Sequence, residues 1–314
     1  MTGARPRVAL VTTGAFAHLD DDLPLLSGAL DDAGVEAVVV DWHDAGVRWS
    51  AVDLAVIRST WDYTSHLDAF LERLAAIAAS TTLLNPVPVV RANADKRYLA
   101  ALAAAGVRVV PTDVIEPGDD IRLPDAVPYV VKPTVSAGGR DTERYAPGDA
   151  AAAAAHVARL LDAGRAVLVQ PYVEGIDEAG ETGMVFVGDA FSHAFRKGPI
   201  LRPGAGFVEG LYREEEITDR RATSAERAAA KAVLDAVGVV APGWTRGDLL
   251  YARVDLVPGP QGPMLMELEL IEPSLFLHVD PGAPRRAAAA ICAQLGMGEP
   301  APPTSDSRRA GPIL

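Results

Sequence analysis

The sequence predicts a parallel α/β domain at the N-terminus followed by a larger α+β region, on three observations. Short β-rich runs at 7–12, 35–40 and 52–57 alternate with helical stretches, the order that builds a parallel sheet flanked by helices. Near the other end, Leu250–Val257 (LYARVDLV) and Leu265–Ile271 (LMELELI) read as two strands joined by the turn-rich PGPQGP. And 314 residues, 49% hydrophobic and 23% charged, suffice for roughly two or three domain-sized units with a substantial core.

Taken in order, the run RVALVT precedes a helix from Leu23 to Ala33 that Gly34 ends, and the third run leads into a helix from His66 to Ala79 and then LLNP at 83–86. The first loop, TTGAFAHLDDD, lacks G-x-G-x-x-G, so no dinucleotide site is expected there. Residues 93–105 (NADKRYLAALAAA) predict one capped helix stopped by Gly106, and VRVVPT and VPYVVKP predict strands around a Pro/Asp/Gly-rich connection at 116–126. Asp149 to Ala163 reads as an Ala-rich helix in which His156 packs or faces solvent. Strands follow at Ala166–Gln170, Met184–Val187 and Phe191–Phe195, then a polar stretch from Tyr212 to Ser224, a helix from Ala225 to Val237, and a disordered tail over 300–314. The single cysteine, Cys292, is a packing residue of a helical AAAAICAQL stretch.

A formal net charge of −13 argues against a nucleic-acid-binding surface. One cysteine allows no disulfide framework and no zinc-ligand spacing, which makes a reducing cytoplasm the expected compartment. The apolar run Val8–Val11 is too short for a secretory signal, and no stretch is long enough to span a membrane. Neither nucleic acid nor membrane is therefore an expected partner.

The chemistry concentrates in the C-terminal strand pair. Alternation puts Arg253 and Asp255 on one face of the first strand and Glu267 and Glu269 together on one face of the second. If the hairpin is symmetric about Gln261, Asp255 opposes Glu267 and Arg253 opposes Glu269. Like charges directly opposite destabilise a sheet unless something compensates. Mg²⁺, which prefers carboxylate oxygens together with substrate phosphates, is the expected compensation, with Mn²⁺ an acceptable substitute. Earlier, Lys132 ends the strand YVVKP and precedes TVSAGGRDT, where Ser136, Gly138 and Gly139 form a loop whose N–H groups can cradle phosphate oxygens. It is not a Walker A loop. About 28 residues on, Gln170–Pro171–Tyr172–Val173 is a proline-interrupted strand end that can leave main-chain groups to read an adenine edge, and Glu181 can accept ribose hydroxyls.

In that order, from about Asn93 to Phe276, these segments resemble the ATP-grasp superfamily. They are Asn93–Lys96, Lys132–Pro133 with its Gly-rich loop, QPYV, Glu181 and RVDLV…MELELIEP. The resemblance implies an ATP-grasp fold with an N-terminal parallel α/β (pre-ATP-grasp) domain over 1–92 on the substrate side. The ATP-grasp domain would span 93–299, with a smaller lobe over about 112–170 and a larger C-terminal lobe over about 171–299. It implies Lys96 and Lys132 on the phosphates of ATP, Gln170, Tyr172 and Val173 at the adenine, and Asp255, Glu267 and Glu269 on Mg²⁺. Many members carry asparagine where this chain has Glu269. Within the superfamily the chain is similar to the glutathione-synthetase-related branch. GETGMVFVGDAFSHAFRKGP and IEPSLFL look most like the O-ureidoserine cyclo-ligases of cycloserine biosynthesis and their uncharacterised relatives.

Such enzymes phosphorylate a carboxylate and let an amine attack the acyl phosphate. The expected activity is thus ADP-forming carbon–nitrogen ligation or ring closure on a small amino-acid-like substrate. Arg253, and second Arg196, are the candidates for stabilising the acyl phosphate. Arg196 and Lys197 are adjacent on a strand, so one of them faces the site. On the substrate side, Arg58, Trp61, Asp62 and Tyr63 follow a strand at its carboxyl end, where open α/β sheets bind ligands. Arg58 could pair with a carboxylate and Asp62 with an amino group, and Glu272 and Ser274 stand within reach. Two rival readings are an ATP-grasp kinase and a nucleotide-binding protein without catalysis; a homo-oligomer is compatible with all three.

Overall fold

The computed structural model describes residues 4–201 and 216–298. The tail over 300–314 and part of the polar stretch expected at 212–224 lie outside the described residues. Three sheets organise the chain. The first is parallel, in the order β2-β1-β3-β4, from β1 (Arg7–Thr12), β2 (Glu36–Asp41), β3 (Leu54–Ile57) and β4 (Thr82–Leu84). Helices α1 (Asp22–Asp32) and α2 (Leu67–Ala78) cover its two faces. Alternate residues of β1 serve each: Val8 and Leu10 pack with Leu23, Leu26 and Leu30 of α1, while Ala9 and Val11 pack with Phe70, Leu74 and Ile77 of α2. A strand buried on both sides must be apolar throughout, which is why VALV carries no alternation.

Two antiparallel sheets follow. One, ordered β5-β8-β6-β7, is built from β5 (Asp113–Ile115), β6 (Tyr129–Pro133), β7 (Glu143–Tyr145) and β8 (Val167–Pro171). The other, ordered β11-β10-β9-β12-β13, comprises β9 (Glu181–Val187), β10 (Ala190–Lys197), β11 (Ile217–Asp219), β12 (Tyr251–Val257) and β13 (Met264–Glu269). Between these strands run α3 (Val87–Asn93), α4 (Tyr98–Ala104), α5 (Ala150–Asp162), α6 (Gly175–Ala179), α7 (Ser224–Asp235) and α8 (Val237–Val240), and α9 (Ala283–Gln294) comes last. Buried Cys292 packs in α9 beside Ile291 and Ala288. His156 is buried in α5 with its Nδ1 3.0 Å from the Tyr145 hydroxyl. Among the described residues no helix is long and apolar enough to cross a membrane.

Three local expectations need correction. The helix expected over 93–105 begins only at Tyr98, because Asn93 ends α3 instead of capping α4. Its carboxamide bonds Leu268 O and Leu270 N, both at 2.9 Å, and the interruption turns the Lys96 N–H to Thr134 O. The strand expected at VRVVPT reduces to one bridge, Val109 to Leu265, because Pro111 has no N–H to extend a ladder. The three-residue strand β11 was not anticipated in the polar stretch around it.

Candidate active site

The hairpin register came out as the alternation requires: Arg253 opposes Glu269 and Asp255 opposes Glu267. Symmetry about Gln261 then fails by one residue, since a bulge after Asp255 pairs Leu256 with Leu265. β12 lies inside the sheet between β9 and β13, and its polar face is shielded from solvent: Arg253 and Asp255 are 4% and 1% exposed. The other face, with Ala252, Val254, Leu256 and Leu268, packs on Ala230, Val233 and Leu234 of α7.

Buried carboxylates need partners, and each has a cation. Arg253 forks onto Asp255 (2.9 and 2.8 Å) and also bonds Glu269; Lys197 Nζ lies 3.4 Å from Asp255 and 3.8 Å from Glu181; Lys96 Nζ lies 3.1 Å from Glu267. Burial opposes ionisation at Asp255 and Glu267, but the neighbouring cations outweigh it and hold both carboxyls below their usual range. Glu269 goes the other way. Burial, only partly offset by Arg253 and reinforced by Asp255 and Glu267, pushes its carboxyl up to about 7. Glu272, half-buried next to Glu269, is pushed up to about 8 by its withdrawal from water and by that neighbour's charge.

This face forms one wall of a cavity of about 580 Å³ that draws on all three sheets. From the small antiparallel sheet come Lys132, Ser136, Gly138, Gly139 and Gln170, followed by Tyr172 and Val173. Gly138 and Gly139 adopt φ of 60° and 72°, a conformation glycine takes without strain, and Lys96 Nζ bonds Ser136 at its carbonyl and hydroxyl (3.2 Å to Oγ). Burial lowers the Lys132 ammonium below its usual range, with Glu267 opposing that shift. Arg144 stacks 3.4 Å over the Tyr172 ring, whose hydroxyl donates to Asp177 (2.5 Å), while Gln170 Nε2 donates to Thr112 (2.8 Å). Glu181, Lys197, Arg253, Glu267 and Glu269 line the cavity from the large sheet, and Trp61 and Tyr63 line it from the N-terminal domain.

Four candidates stand elsewhere. Arg196 points away from Lys197, as neighbours on a strand do, and donates to Ala179 O (3.0 Å) and Glu178 O (3.4 Å), outside the cavity wall that Lys197 lines. Arg58 is 1% exposed and outside the cavity wall, bonded to Asp22 (3.3 Å) and Pro273 O (3.2 Å), so it cannot meet a substrate carboxylate. Asp62 also lies outside the wall, taken up by Trp42 Nε1 (2.9 Å), His43 Nε2 (2.6 Å) and Thr13 Oγ1 (3.2 Å). Asp255 sits beneath Arg253 and Lys197 and does not itself border the cavity.

After β13 the chain runs as an irregular strap through Ile271–Leu277, kinked at Phe276, that sequence reasoning saw only in part. Its carbonyls are held one by one: Ile271 by Tyr251 OH (2.6 Å), Glu272 by Trp61 Nε1 (3.3 Å), Pro273 by Arg58, Ser274 by Arg253 (3.0 Å) and Leu275 by His193 Nε2 (2.7 Å). Asp22 accepts from Leu275 N (2.6 Å), Phe276 N (3.1 Å) and Leu277 N (2.7 Å). Glu272, Ser274 and Phe276 face the cavity while Pro273, Leu275 and Leu277 are buried behind it. Asp20 to Asp22 and Phe276 were missed as site residues. The only sequence signal was three successive aspartates after the first strand.

Could this site hold Mg²⁺? Among the described residues no three acidic, histidine or cysteine side chains converge as a ready cage. The donor set nonetheless fits a hard cation: Asp255 and Glu267 oppose each other and Glu269 is adjacent, all oxygen donors whose charge Lys and Arg neutralise.

Comparison with known proteins identifies the family and the fold. Residues 8–85 match the family model "D-cycloserine synthetase DcsG, N-terminal domain". The cycloserine biosynthesis protein DcsG of Streptomyces lavendulae is 39% identical over 300 residues, 92% of this chain and 98% of that protein. The crystal structure of D-cycloserine synthetase DcsG superposes with a TM-score of 0.83 at 38% identity, covering 92% of this chain and 99% of that one. The D-alanine–D-alanine ligase of Bacillus anthracis, solved with ATP, shares the fold (TM-score 0.63, 14% identity, 92% of this chain and 96% of that one). The chain belongs to the DcsG family of ATP-dependent ligases with the ATP-grasp fold.

Proposed function

We propose that the enzyme uses Mg²⁺ and ATP to activate the carboxylate of a small amino-acid-like molecule and then closes a carbon–nitrogen bond within it, as a cycloserine-type ring requires. The observation that carries this reading is the cation-neutralised carboxylate face in the same cavity as the Gly-rich loop. Lys96 and Lys132 take the phosphates, Ser136, Gly138 and Gly139 cover them, and Gln170, Tyr172 and Val173 hold the adenine with Glu181 at the ribose. When those phosphates arrive they compete with Glu267 for Lys96, and Glu267 and Glu269 on the cavity wall, with Asp255 directly behind Glu267, are the oxygens that would hold Mg²⁺. Bound Mg²⁺ would supply positive charge to the transferring phosphoryl oxygens.

The protein's own part is positioning and charge. Arg253, its guanidinium locked by Asp255, Glu269 and Ser274 O, is a preorganised cation beside the point where the acyl phosphate forms. Lys197 supplies a second charge on the same wall. Trp61, Tyr63, Glu272 and Ser274 surround the remainder of the substrate, with the Glu272 carboxyl available for an amino group. A cytoplasmic location accords with a lone buried cysteine and with ATP as substrate. The test is ADP release across a panel of small amino-acid-like compounds, with products identified by mass spectrometry. A condensed or cyclised product accompanying ADP is expected; a stable phosphoester would replace the ligase reading with a kinase, and no stimulation by any compound would remove it.

A further inference from the structure

Phe276 is one of two non-glycine residues with positive φ among those described, at φ 49°, ψ 50°. A bulky residue in the left-handed region is strained and persists only where its surroundings over-determine it. Here they do: both oxygens of buried Asp22, from another domain, are committed to the N–H groups of residues 275, 276 and 277. The kink places the Phe276 ring edge-on to Phe195 with centroids 4.5 Å apart, and the Arg253 guanidinium carbon lies 5.9 Å from each ring. Phe195 is itself seated by a glycine. A Cβ at Gly183, the residue opposite Asp255 on β9, would lie 2.2 Å from Phe195 Cζ. The strap, Asp22, Gly183 and Phe195 thus combine to set one half-buried aromatic ring on the cavity wall beside the cation assigned to the acyl phosphate.

We propose that Phe276 is the specificity-determining wall for the carbon skeleton of the substrate, restricting the site to short amino-acid-like chains and turning their nucleophilic nitrogen back onto the activated carbonyl. This rests on the ligase reading above. Ring closure forms the N–C bond and breaks the C–O bond to phosphate, the nitrogen losing its proton to solvent. The competing reaction forms a water O–C bond instead and returns the free acid and phosphate. An aromatic wall against the acyl carbon favours the first by excluding water and extended conformers.

The experiment compares wild type, Phe276→Gly and Phe276→Leu on a panel of amino-acid-like substrates graded in chain length, recording ADP formed, cyclised or condensed product formed, and Tm. Glycine accepts φ 49° without strain, so a retained Tm separates the ring's role from the fold's. We expect Phe276→Gly to form ADP with longer compounds that wild type refuses, and its product-to-ADP ratio on the best wild-type substrate to fall at least fivefold, with Phe276→Leu between the two. An unchanged size profile and an unchanged ratio overturn the proposal while leaving the ligase reading intact. A wild type that no compound stimulates removes both. If Phe276→Gly loses more than about 10 °C in Tm, Phe276→Leu decides by the same two readouts.

Discussion

Glu267 and Glu272 stand five residues apart in one cavity, and their environments push them in opposite directions. Lys96 and Lys132 keep Glu267 charged, which suits it to the ligand role proposed above; Glu267→Gln conserves volume and should cut Mg²⁺-dependent turnover by at least the roughly 10–100-fold that even outer-shell ligand partners contribute. Steady-state rates against Mg²⁺ concentration check this, and unchanged Mg²⁺ dependence would remove Glu267 from the metal set. Lys132→Ala should weaken ATP binding by about 1.5–3 kcal/mol, the range for a hydrogen bond to a charged group, read by calorimetry. Glu272, raised to about 8 by burial and Glu269, predicts a pH effect. Its folded-state value lies above the unfolded one, so its contribution to stability is full below about pH 4.5 and is lost as pH rises through about 8. Glu272→Gln escapes that loss and should melt at a progressively higher temperature than wild type from about pH 5 to 8.5; a difference independent of pH would contradict the burial of Glu272. Side-chain direction on a strand was legible at this scale, and with it Arg253, Glu267 and Glu269. Which polar side chain a distant partner has already consumed was not: the carbonyl that takes Arg58 lies 215 residues away in sequence.

Among the elements, the strap matters as much as the hairpin before it. The hairpin could be read because its register follows from period-two alternation and a turn, both local properties. The strap could not, because IEPSLFL owes its shape to Trp61, Arg58, Asp22, His193, Tyr251 and Arg253, most of them far off in sequence. The same cause moved the start of the expected helix from Asn93 to Tyr98, the Asn93 carboxamide closing the edge of β13 instead of capping its own chain. Arg58 thereby changes from a substrate ligand to a strap anchor, and the consequence is measurable. Arg58→Ala leaves Asp22 as a buried charge without its cation and should cost about 3–5 kcal/mol in denaturant unfolding. Wild-type stability with a raised substrate KM would restore Arg58 to the substrate site.

On the scale of the molecule, the apolar cores divide the chain differently from its sheets. One cluster joins Val8, Leu10 and Leu26 of the N-terminal domain to Val185, Tyr251, Leu275 and Ile291, so the first sheet and the large antiparallel sheet share a core. Asn85 bonds Leu250 N, Tyr251 O and Leu270 O across the same junction. The small antiparallel sheet has a core of its own: Ile115, Tyr129, Val131 and Val169 pack with Val157 and Leu160 of α5. Its borders with the remainder carry polar contacts, such as Lys96 to Ser136 and Arg140 Nη1 to Ser65 Oγ (2.6 Å), beside one small apolar cluster of Val173, Ile176, Val257 and Met264. Units with their own core and polar borders open independently of the molecule that carries them. This lobe carries Lys132 and the Gly-rich loop, so nucleotide bound between the lobes should close that opening. Native-state hydrogen exchange is expected to show β6, β7 and β8 exchanging through an opening of lower free energy than β1, β3 and β12. Mg·ADP should slow exchange in the first group at least tenfold more than in the second. Equal protection throughout, with no selective response to Mg·ADP, would mean that the two cores unfold as one and that the small lobe is not a moving part.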